Sequence, residues 1–386
     1  MIIIASILFI ITPILSIPIQ LIGLFSEKKN NRLYGFYLSI IIGIIGMNII
    51  PNENMDLFRY YGMMNQIKSY DLQMIKDNLL LASEPLMNMI FYFFGKLDIK
   101  EYIVLATSIV YYNTLFYMFF DYCKIKKINN TNKIILFLFM MINIMIIPTI
   151  TGIRFALGTI IFVLAIYREY IKEDKNIFTY FLYAISGLIH ASMFVFLVFR
   201  ILMTFNKEKI SKITLVGIIV LSSLPSLLTP ILKSLASISF LEALVTRIGY
   251  LSMDFKISNL NLLLSLINLI QGIVIINFYI KNKEDKILQI ATMLCIPGII
   301  LIFGETVSGR IFNIITILFV FILINKYKEN KEFKINLVVI LLVMLCVIKL
   351  RSQFMMFKNS GGMELFFEEK AYKNAISLIV EGNKYL

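Results

Sequence analysis

A few charged or titratable residues stand at the edges of long apolar runs, where such side chains are rare. Arg154 opens one apolar run, and His190, the only histidine in the chain, interrupts another. Glu305 and Arg310 flank a short polar link between two further runs. Because a charged side chain costs roughly 2.5–3.5 kcal/mol at the centre of a membrane helix, residues of this kind usually have a function. They are therefore the first candidates for chemistry.

The arginines indicate an anion-binding site. Guanidinium groups are permanently charged and hold phosphate oxygens through two parallel hydrogen bonds. The candidates for binding a lipid phosphate or pyrophosphate are Arg154, Arg310, Arg247 and Arg59. For Arg59 and Arg247, an equally simple interpretation is that the side chain snorkels towards lipid headgroups.

Three residues are candidates for proton transfer. His190 suits a general base because imidazole titrates near neutral pH, and the alternative is a histidine that only bonds a neighbouring helix. Glu84 precedes Pro85, so it either activates a hydroxyl or favours the N-terminus of a helix. Glu305 either activates a hydroxyl or pairs with Arg310. We expect the catalytic residues among these three.

The chain shows no spacing typical of a metal or nucleotide site. Its three cysteines, Cys123, Cys295 and Cys346, have neither metal nor redox spacing. It contains no GxxxxGK[ST] phosphate loop and no Asp-x-Asp pair. We therefore expect neither a metal nor a cofactor, and the sequence argues against an ATP-driven pump.

Transmembrane helices are predicted to position these residues. The chain has 386 residues, of which 59% are hydrophobic and 16% are charged, whereas soluble domains carry about a quarter charged residues. The recurring apolar runs predict an all-α, polytopic integral membrane protein with about 11–12 transmembrane segments, in a single transmembrane domain over residues 1–386. The candidate spans are Ile2–Phe25, Leu33–Ile50, Tyr102–Phe120, Ile134–Pro148, Ile153–Tyr170, Ile177–Ile189, Ser192–Phe205, Ile213–Thr229, Leu260–Ile280, Ile287–Phe303, Ile311–Asn325 and Ile335–Leu350.

Short lysine-rich loops between the spans give the orientation. The net charge is +13, and the lysines cluster in these loops, as the positive-inside bias predicts for cytoplasmic segments. Both termini are then expected on the outer side of the membrane. Because this bias accounts for the basic charge, we expect no nucleic acid as a partner.

The same bias predicts a helix break near the only histidine. If residues 177–205 formed one long helix, every later basic loop would lie outside. Two short halves that turn near Ser186–Ser192 restore the bias and place His190 at an outer turn. A single tilted helix is the alternative.

Two further segments are expected at the outer face. Residues 51–101 are predicted to form an amphipathic loop, with interfacial helices over Met55–Leu81 and a re-entrant segment at Pro85–Phe94. The tail, residues 351–386, is also expected outside and amphipathic over Glu364–Val380. On this topology the candidate residues converge on one side of the membrane.

Several short pieces of the chain carry a family resemblance. They are Asp56-Leu-Phe-Arg59-Tyr-Tyr61, Glu84-Pro85, Gly152-Ile-Arg154-Phe-Ala-Leu-Gly158, His190-Ala-Ser192, Arg247-Ile-Gly-Tyr250 and Gly309-Arg310-Ile311. In order, spacing and membrane position, these pieces resemble the EpsG/Wzy family of bacterial polysaccharide polymerases over most of the chain. The polar tail after Leu350 departs from the family pattern.

The resemblance implies a GT-C-like polymerase or ligase architecture in the bacterial cytoplasmic membrane. It implies a glycosyltransferase in which a sugar hydroxyl of one lipid-linked repeat unit attacks the anomeric carbon of another and displaces polyprenyl pyrophosphate. The arginines would bind the pyrophosphate, His190 or Glu84 would be the base, and Glu305 would orient an arginine or a sugar. The residues implied in substrate contacts are Asp56, Tyr60 and Tyr250. For the tyrosines, an interfacial aromatic belt is the simpler alternative.

The implied partners are polyprenyl-pyrophosphate-linked oligosaccharides and membrane lipids, with a chain-length regulator and a flippase as further partners. Two other functions stay open at this point. A lipid-linked oligosaccharide flippase would line a midplane cavity with its cations, and an O-antigen-ligase-like enzyme would pass the glycan to a different acceptor.

Overall fold

The computed structural model describes residues 2–26, 31–51, 53, 55–204, 259–300, 305–329, 337–359 and 372–381. Within these ranges every regular element is a helix, which confirms the all-α prediction for this part of the chain. The chain divides into two compact units. One contains residues 1–194 and 350–386, and the other contains residues 195–349.

The first unit carries the helices that hold most of the candidate residues. They are α1 (Ile2–Ile11), α2 (Ile17–Ser26), α3 (Asn31–Met47), α4 (Asp56–Ile67), α5 (Leu72–Leu81), α6 (Pro85–Lys96), α7 (Tyr102–Ile125), α8 (Asn130–Asn143), α9 (Ile146–Thr151), α10 (Ile153–Ile166) and α11 (Ile177–Ile189). A π-helical turn, Tyr167–Ile171, continues α10. Helix α12 (Ser192–Thr204) begins in this unit and continues into the second one.

The core of the first unit is built around α7, which packs against α3 and α10. Three of its side chains, Phe116, Phe119 and Phe120, contact Phe137 of α8 with ring centroids 5.5, 5.7 and 5.9 Å apart. Phe25 of α2 meets the same ring at 5.3 Å. Since each aromatic pair contributes about 0.5–1.5 kcal/mol beyond simple burial, this cluster fixes α2 and α8 against α7.

The predicted first span, Ile2–Phe25, is broken into α1 and α2, so the prediction of a single helix there is wrong. Pro13 lacks a backbone N–H, and its ring disfavours a helical conformation of the preceding residue. The chain turns through residues 12–16, where Ser16 Oγ donates to the Pro13 carbonyl at 2.7 Å. Each helix has 10 residues, about half the length needed to cross a bilayer.

The segment predicted as an outer amphipathic loop is helical. It contains α4, α5 and α6, and α4 packs against α6. The face of α4 that carries Leu57, Tyr60, Tyr61 and Met64 is buried. Since α6 has 12 residues, it is too short to cross a bilayer. The interfacial and re-entrant locations stay predictions.

The C-terminal segment docks on the first unit. Helix α16 (Leu337–Asn359) brings Gln353 to the gap between α8 and α9. Gln353 Nε2 donates to the Ile142 carbonyl at 2.6 Å, and Gln353 Oε1 accepts from the backbone N–H of Ile146 at 3.3 Å. A short helix, α17 (Ala375–Glu381), lies against α1 and α3, where Asn48 Nδ2 donates to the Leu378 carbonyl at 3.3 Å. The outer location of this tail stays a prediction.

In the described part of the second unit, α13 (Asn259–Lys281), α14 (Lys286–Ile300) and α15 (Glu305–Glu329) pack together. Gln271 Nε2 donates to the Thr316 hydroxyl at 3.4 Å across α13 and α15. Ser308 Oγ donates to the Gly298 carbonyl at 3.0 Å and ties α15 to α14. The candidate span Ile213–Thr229 lies outside the described residues.

Two helices in the described ranges are long and apolar enough to cross a membrane. They are Tyr102–Ile125 and the part of α15 from Ser308 to Lys326. Several other predicted spans correspond to shorter apolar helices of 10–17 residues. The full set of about 11–12 transmembrane segments therefore stays a prediction.

Candidate functional site

The position of Glu84 is set by the start of α6. Pro85 occupies the first turn of this helix and restricts the backbone of the residue before it. Glu84 adopts φ −134° and ψ 63°, and its side chain makes no capping hydrogen bond to α6. The carboxylate turns into the protein, where the side chain is only 6% exposed. Glu84 is therefore a buried carboxylate that does not cap its own helix.

Arg154 lies on the first turn of α10, just after the break that separates α9 from α10. Gly152 forms this break, and its N–H donates to the Pro148 carbonyl at 2.9 Å. A Cβ atom on Gly152 would lie 2.9 Å from that oxygen. The close approach favours glycine here and fixes the direction in which α10 starts.

The predicted break at the only histidine is confirmed. Helix α11 ends at Ile189, His190 is extended at φ −144° and ψ 114°, and α12 begins at Ser192. The break leaves the N–H of Ala191 outside the helical hydrogen bonding. That N–H donates to Glu84 Oε1 at 3.2 Å. The hairpin arrangement of the two halves stays a prediction.

A glycine on α10 allows His190 to lie against that helix. A Cβ atom on Gly158 would lie 3.0 Å from His190 Cβ and 3.1 Å from Met193 Cγ. Phe155, on the same helix, meets the imidazole edge-on, with ring centroids 5.6 Å apart and an interplanar angle of 89°. Helix α10 therefore fixes both the position and the ring plane of His190.

The Glu84 carboxylate joins three elements of the first unit. Its Oε2 accepts a hydrogen bond from Arg154 Nη1 at 2.7 Å, and its Oε1 accepts one from His190 Nδ1 at 2.7 Å. With the Ala191 N–H, the carboxylate receives three donors. Because charge-assisted hydrogen bonds are roughly twice as strong as neutral ones, this arrangement holds α6, α10 and the α11–α12 break together.

The bond to Glu84 determines which nitrogen of His190 is available. An ionised carboxylate has no hydrogen to donate, so Nδ1 must carry the hydrogen of this bond. In the neutral imidazole, Nε2 then holds the lone pair and makes no hydrogen bond to the described residues. The geometry presents His190 Nε2 as a proton acceptor.

Glu84 remains ionised in this environment. Burial opposes the charged form, but the hydrogen bond from His190 and the positive charge of Arg154 outweigh burial and lower its pKa to about 2. Such a weakly basic carboxylate is a poor proton acceptor near neutral pH. The choice between His190 and Glu84 as the base stays a prediction.

Tyr60 holds the guanidinium of Arg154 from the other side. The Tyr60 hydroxyl accepts a hydrogen bond from Arg154 Nε at 2.9 Å, and Arg154 Cζ lies 4.8 Å from the ring centroid. Burial raises the pKa of Tyr60, so the hydroxyl keeps its hydrogen. Tyr60 thus orients Arg154, and its contact with a substrate sugar stays a prediction.

The other two candidate residues of α4, Asp56 and Arg59, lie at the edge of the cluster that Glu84, Arg154, His190 and Tyr60 form. Arg59 points away from the buried face, with its side chain 65% exposed, and pairs with Asp56 one helical turn earlier. Asp56 is close enough to Arg154 for its negative charge to act on that guanidinium. The structure therefore brings together Glu84, Arg154, His190 and Tyr60, with Asp56 nearby and Arg59 facing outwards.

The remaining candidates belong to other parts of the chain. Glu305 and Arg310 lie on the first two turns of α15 in the second unit. Arg247 and Tyr250 fall outside the described residues. The roles predicted for these four residues stay predictions.

Sequence reasoning missed two contributors to the cluster. One is the Ala191 N–H, which becomes a donor because the helix breaks at His190. The other is Gly158, which lies close to His190. Gly158 is one helical turn after Arg154 and therefore lies on the same face of α10. Among the residues that the structure describes, no group of three or more His, Cys, Asp or Glu side chains is placed to hold a metal ion.

Comparison with known proteins gives one family. A model of the EpsG family matches residues 36–363, which include every candidate residue named above. No curated protein and no solved structure matches the chain. The match covers most of the sequence and contains both the Glu84–His190–Arg154 cluster and α15, so the chain belongs to the EpsG family.

Proposed function

We propose that this chain extends a polysaccharide by transferring a glycan from a polyprenyl-pyrophosphate carrier to a sugar hydroxyl of another lipid-linked repeat unit. Membership of the EpsG family indicates a polysaccharide polymerase of the glycosyltransferase type. Members of the family are membrane proteins. The lipid carrier, the outer face of the bacterial cytoplasmic membrane and a multi-pass topology are parts of the proposal.

The proposed reaction exchanges one bond at the anomeric carbon of the donor. The acceptor hydroxyl oxygen attacks this carbon and forms the new glycosidic bond. The bond between the anomeric carbon and the pyrophosphate oxygen breaks, and its electron pair leaves with the pyrophosphate. His190 Nε2 takes the hydroxyl proton, as a general base does when it lies within hydrogen-bond reach of the reacting group. As proposed, the step uses neither a metal ion nor a nucleotide cofactor.

One observation carries this proposal: His190 Nδ1 donates to the buried carboxylate of Glu84 at 2.7 Å. The bond fixes the tautomer with Nε2 free, and the negative charge of Glu84 stabilises the imidazolium that forms when Nε2 takes a proton. This is the role that a buried carboxylate has beside a catalytic histidine in hydrolases. A histidine held only for packing would not need an ionised partner.

The departing pyrophosphate needs positive charge to stabilise it. In the second unit, Arg310 near the start of α15 is the candidate for this role. Arg247 is a second candidate from the sequence. Glu305, four residues before Gly309 on the same helix, is proposed to orient an arginine or a sugar.

The test is elongation by the purified protein. The protein in lipid nanodiscs is given the lipid-linked repeat unit isolated from the producing cells, and the products are separated by size. A ladder of longer lipid-linked glycans is expected. If the wild-type protein in vesicles moves the same substrate across the bilayer without extending it, the chain is a flippase and the proposal is wrong.

A further inference from the structure

We propose that Glu84, His190 and Arg154 form the subsite for the acceptor sugar, and that the pyrophosphate of the donor is bound by other cations. This inference rests on the proposed polymerase function and changes the role of Arg154. The sequence places Arg154 first among the pyrophosphate-binding residues. Its contacts in the first unit fit a neutral, hydroxylated ligand better.

The charges of the cluster cancel. Arg154 forms an ion pair with Glu84 at 2.7 Å, and Arg59 pairs with Asp56. Each pair is neutral, so these four side chains together carry no net charge. A pyrophosphate diester carries two negative charges, and Asp56 and Glu84 would both repel it. A pyrophosphate site is expected to have an excess of positive charge instead.

The guanidinium of Arg154 is already held by two acceptors of the protein. Arg154 Nε donates to Tyr60, and Nη1 donates to Glu84. Only Nη2 makes no hydrogen bond to the protein residues that the structure describes. Arginine is a strong phosphate ligand when two nitrogens of its guanidinium donate to the phosphate together in a bidentate contact. A phosphate gripped through Nε would have to displace Tyr60, and one gripped through Nη1 and Nη2 would have to share Nη1 with the Glu84 carboxylate.

The remaining groups fit a sugar that presents a hydroxyl beside a second oxygen. His190 and Arg154 bond to the two oxygens of one carboxylate, so their side chains lie next to each other. The acceptor hydroxyl would donate to His190 Nε2, while Arg154 Nη2 would donate to a neighbouring sugar oxygen. During transfer, the hydroxyl oxygen bonds to the donor's anomeric carbon, the pyrophosphate leaves with the electron pair, and Nε2 takes the proton.

The test separates binding of the acceptor from binding of the pyrophosphate. The first variant is Arg154→Gln. The second is the double variant Glu84→Gln with Arg154→Gln, which removes the carboxylate that the single variant leaves buried without a cation. Arg168→Gln is the matched control, because Arg168 lies on the π-helical turn that continues α10 and pairs with Asp174 outside the cluster. Size-exclusion profiles and thermal melts confirm that each variant is folded.

Two readouts are used on each variant. Polyprenyl pyrophosphate binding is measured by the rise in melting temperature that it produces, which needs no turnover. Acceptor use is measured with a fluorescent repeat-unit oligosaccharide, released from its lipid, and an unlabelled lipid-linked donor. In Arg154→Gln we expect kcat/KM for this acceptor to fall about ten- to hundred-fold, since one charge-assisted hydrogen bond is lost. The double variant is expected to lose more, because it also removes the carboxylate that supports His190. The melting shift with polyprenyl pyrophosphate is expected to match that of the wild type and of Arg168→Gln.

The opposite pattern would overturn the inference. If both Arg154 variants lose the melting shift with polyprenyl pyrophosphate and keep the wild-type kcat/KM for the acceptor, Arg154 binds the pyrophosphate. A loss of both readouts in folded Arg154 variants also contradicts separate subsites. Failure of the wild type to extend either the free or the lipid-linked acceptor instead contradicts the proposed polymerase function.

Discussion

Glu84 and His190 are 106 positions apart in the sequence, yet Glu84 Oε1 accepts a hydrogen bond from His190 Nδ1 at 2.7 Å. The contact joins the start of α6 to the break between α11 and α12. The other oxygen of the same carboxylate binds Arg154. One buried carboxylate therefore fixes His190, its tautomer and the neighbouring cation, and most of the expected effects below depend on it.

Replacing Glu84 by glutamine is expected to reduce both activity and stability. The amide removes the charge that balances Arg154 and that stabilises a protonated His190. Loss of such support to a general base lowers turnover by about 10²–10⁴-fold. The free energy of unfolding should fall by about 1–3 kcal/mol, less than the ~3–5 kcal/mol of a fully buried pair, because the Arg154 side chain is 31% exposed. Elongation assays and thermal melts measure the two effects, and wild-type turnover in Glu84→Gln would contradict this account.

The contribution of Glu84 to stability should depend on pH in a defined window. The pKa of Glu84 lies at about 2 in the folded protein, below its ordinary value of 4.5. The folded state thus binds fewer protons than the unfolded state between these values, so the stabilisation is complete above 4.5 and is lost as the pH falls towards 2. The difference in melting temperature between wild type and Glu84→Gln should therefore shrink as the pH is lowered below 4.5. A difference that stays constant in this window would show that the Glu84 charge does not stabilise the fold.

Substitution of Gly158 by alanine should displace His190. The added Cβ would lie 3.0 Å from His190 Cβ and 3.1 Å from Met193 Cγ, closer than side-chain atoms normally approach. Overpacking of this kind costs about 1–3 kcal/mol, and elongation should fall with the shift of the imidazole. Gly62→Ala on α4 is the matched control, because no atom lies within 4 Å of its added Cβ. That control should be neutral or stabilising by about 0.5–1 kcal/mol. Equal behaviour of the two variants would show that Gly158 does not position His190.

Gln353 is expected to support the helices that precede Arg154. Its side chain bonds to the Ile142 carbonyl and to the Ile146 N–H, the backbone groups that flank the gap between α8 and α9. Gln353→Ala leaves both groups without this partner and should cost about 1–3 kcal/mol of unfolding free energy. Gln73→Ala provides the control, since Gln73 is exposed and bonds only Asp77 on its own helix. A melting temperature for Gln353→Ala that matches that of the control would contradict a role for the C-terminal segment in this unit.

Part of the site follows from local sequence rules. The bias of lysines between the spans predicted the break at His190, because one long helix would have placed later basic loops outside. Glycine next to Arg154 marked the start of α10. The outward direction of Arg59 agrees with the spacing of residues on its helix. On α4 the buried positions Leu57, Tyr60, Tyr61 and Met64 define one helical face, and Arg59 falls on the other.

The remaining features depend on contacts that no local pattern encodes. The pairing of Glu84 with His190 and Arg154 joins residues 106 and 70 positions apart. The Ala191 N–H became a partner only because the helix ends one residue before His190. Pro13 is a local signal for the break between α1 and α2. The prediction of one span over Ile2–Phe25 follows instead from the continuous apolar run around it.

The most direct measurement compares turnover of wild type and His190→Asn on the lipid-linked repeat unit. The asparagine side chain has an N–H group to donate to Glu84, so the fold should be retained, but it has no nitrogen that accepts a proton. A ladder of longer glycans is expected from the wild type, with a reduction of about 10²–10⁴-fold in the folded variant. A His190→Asn protein that extends the glycan at the wild-type rate would contradict the central claim that His190 is the base.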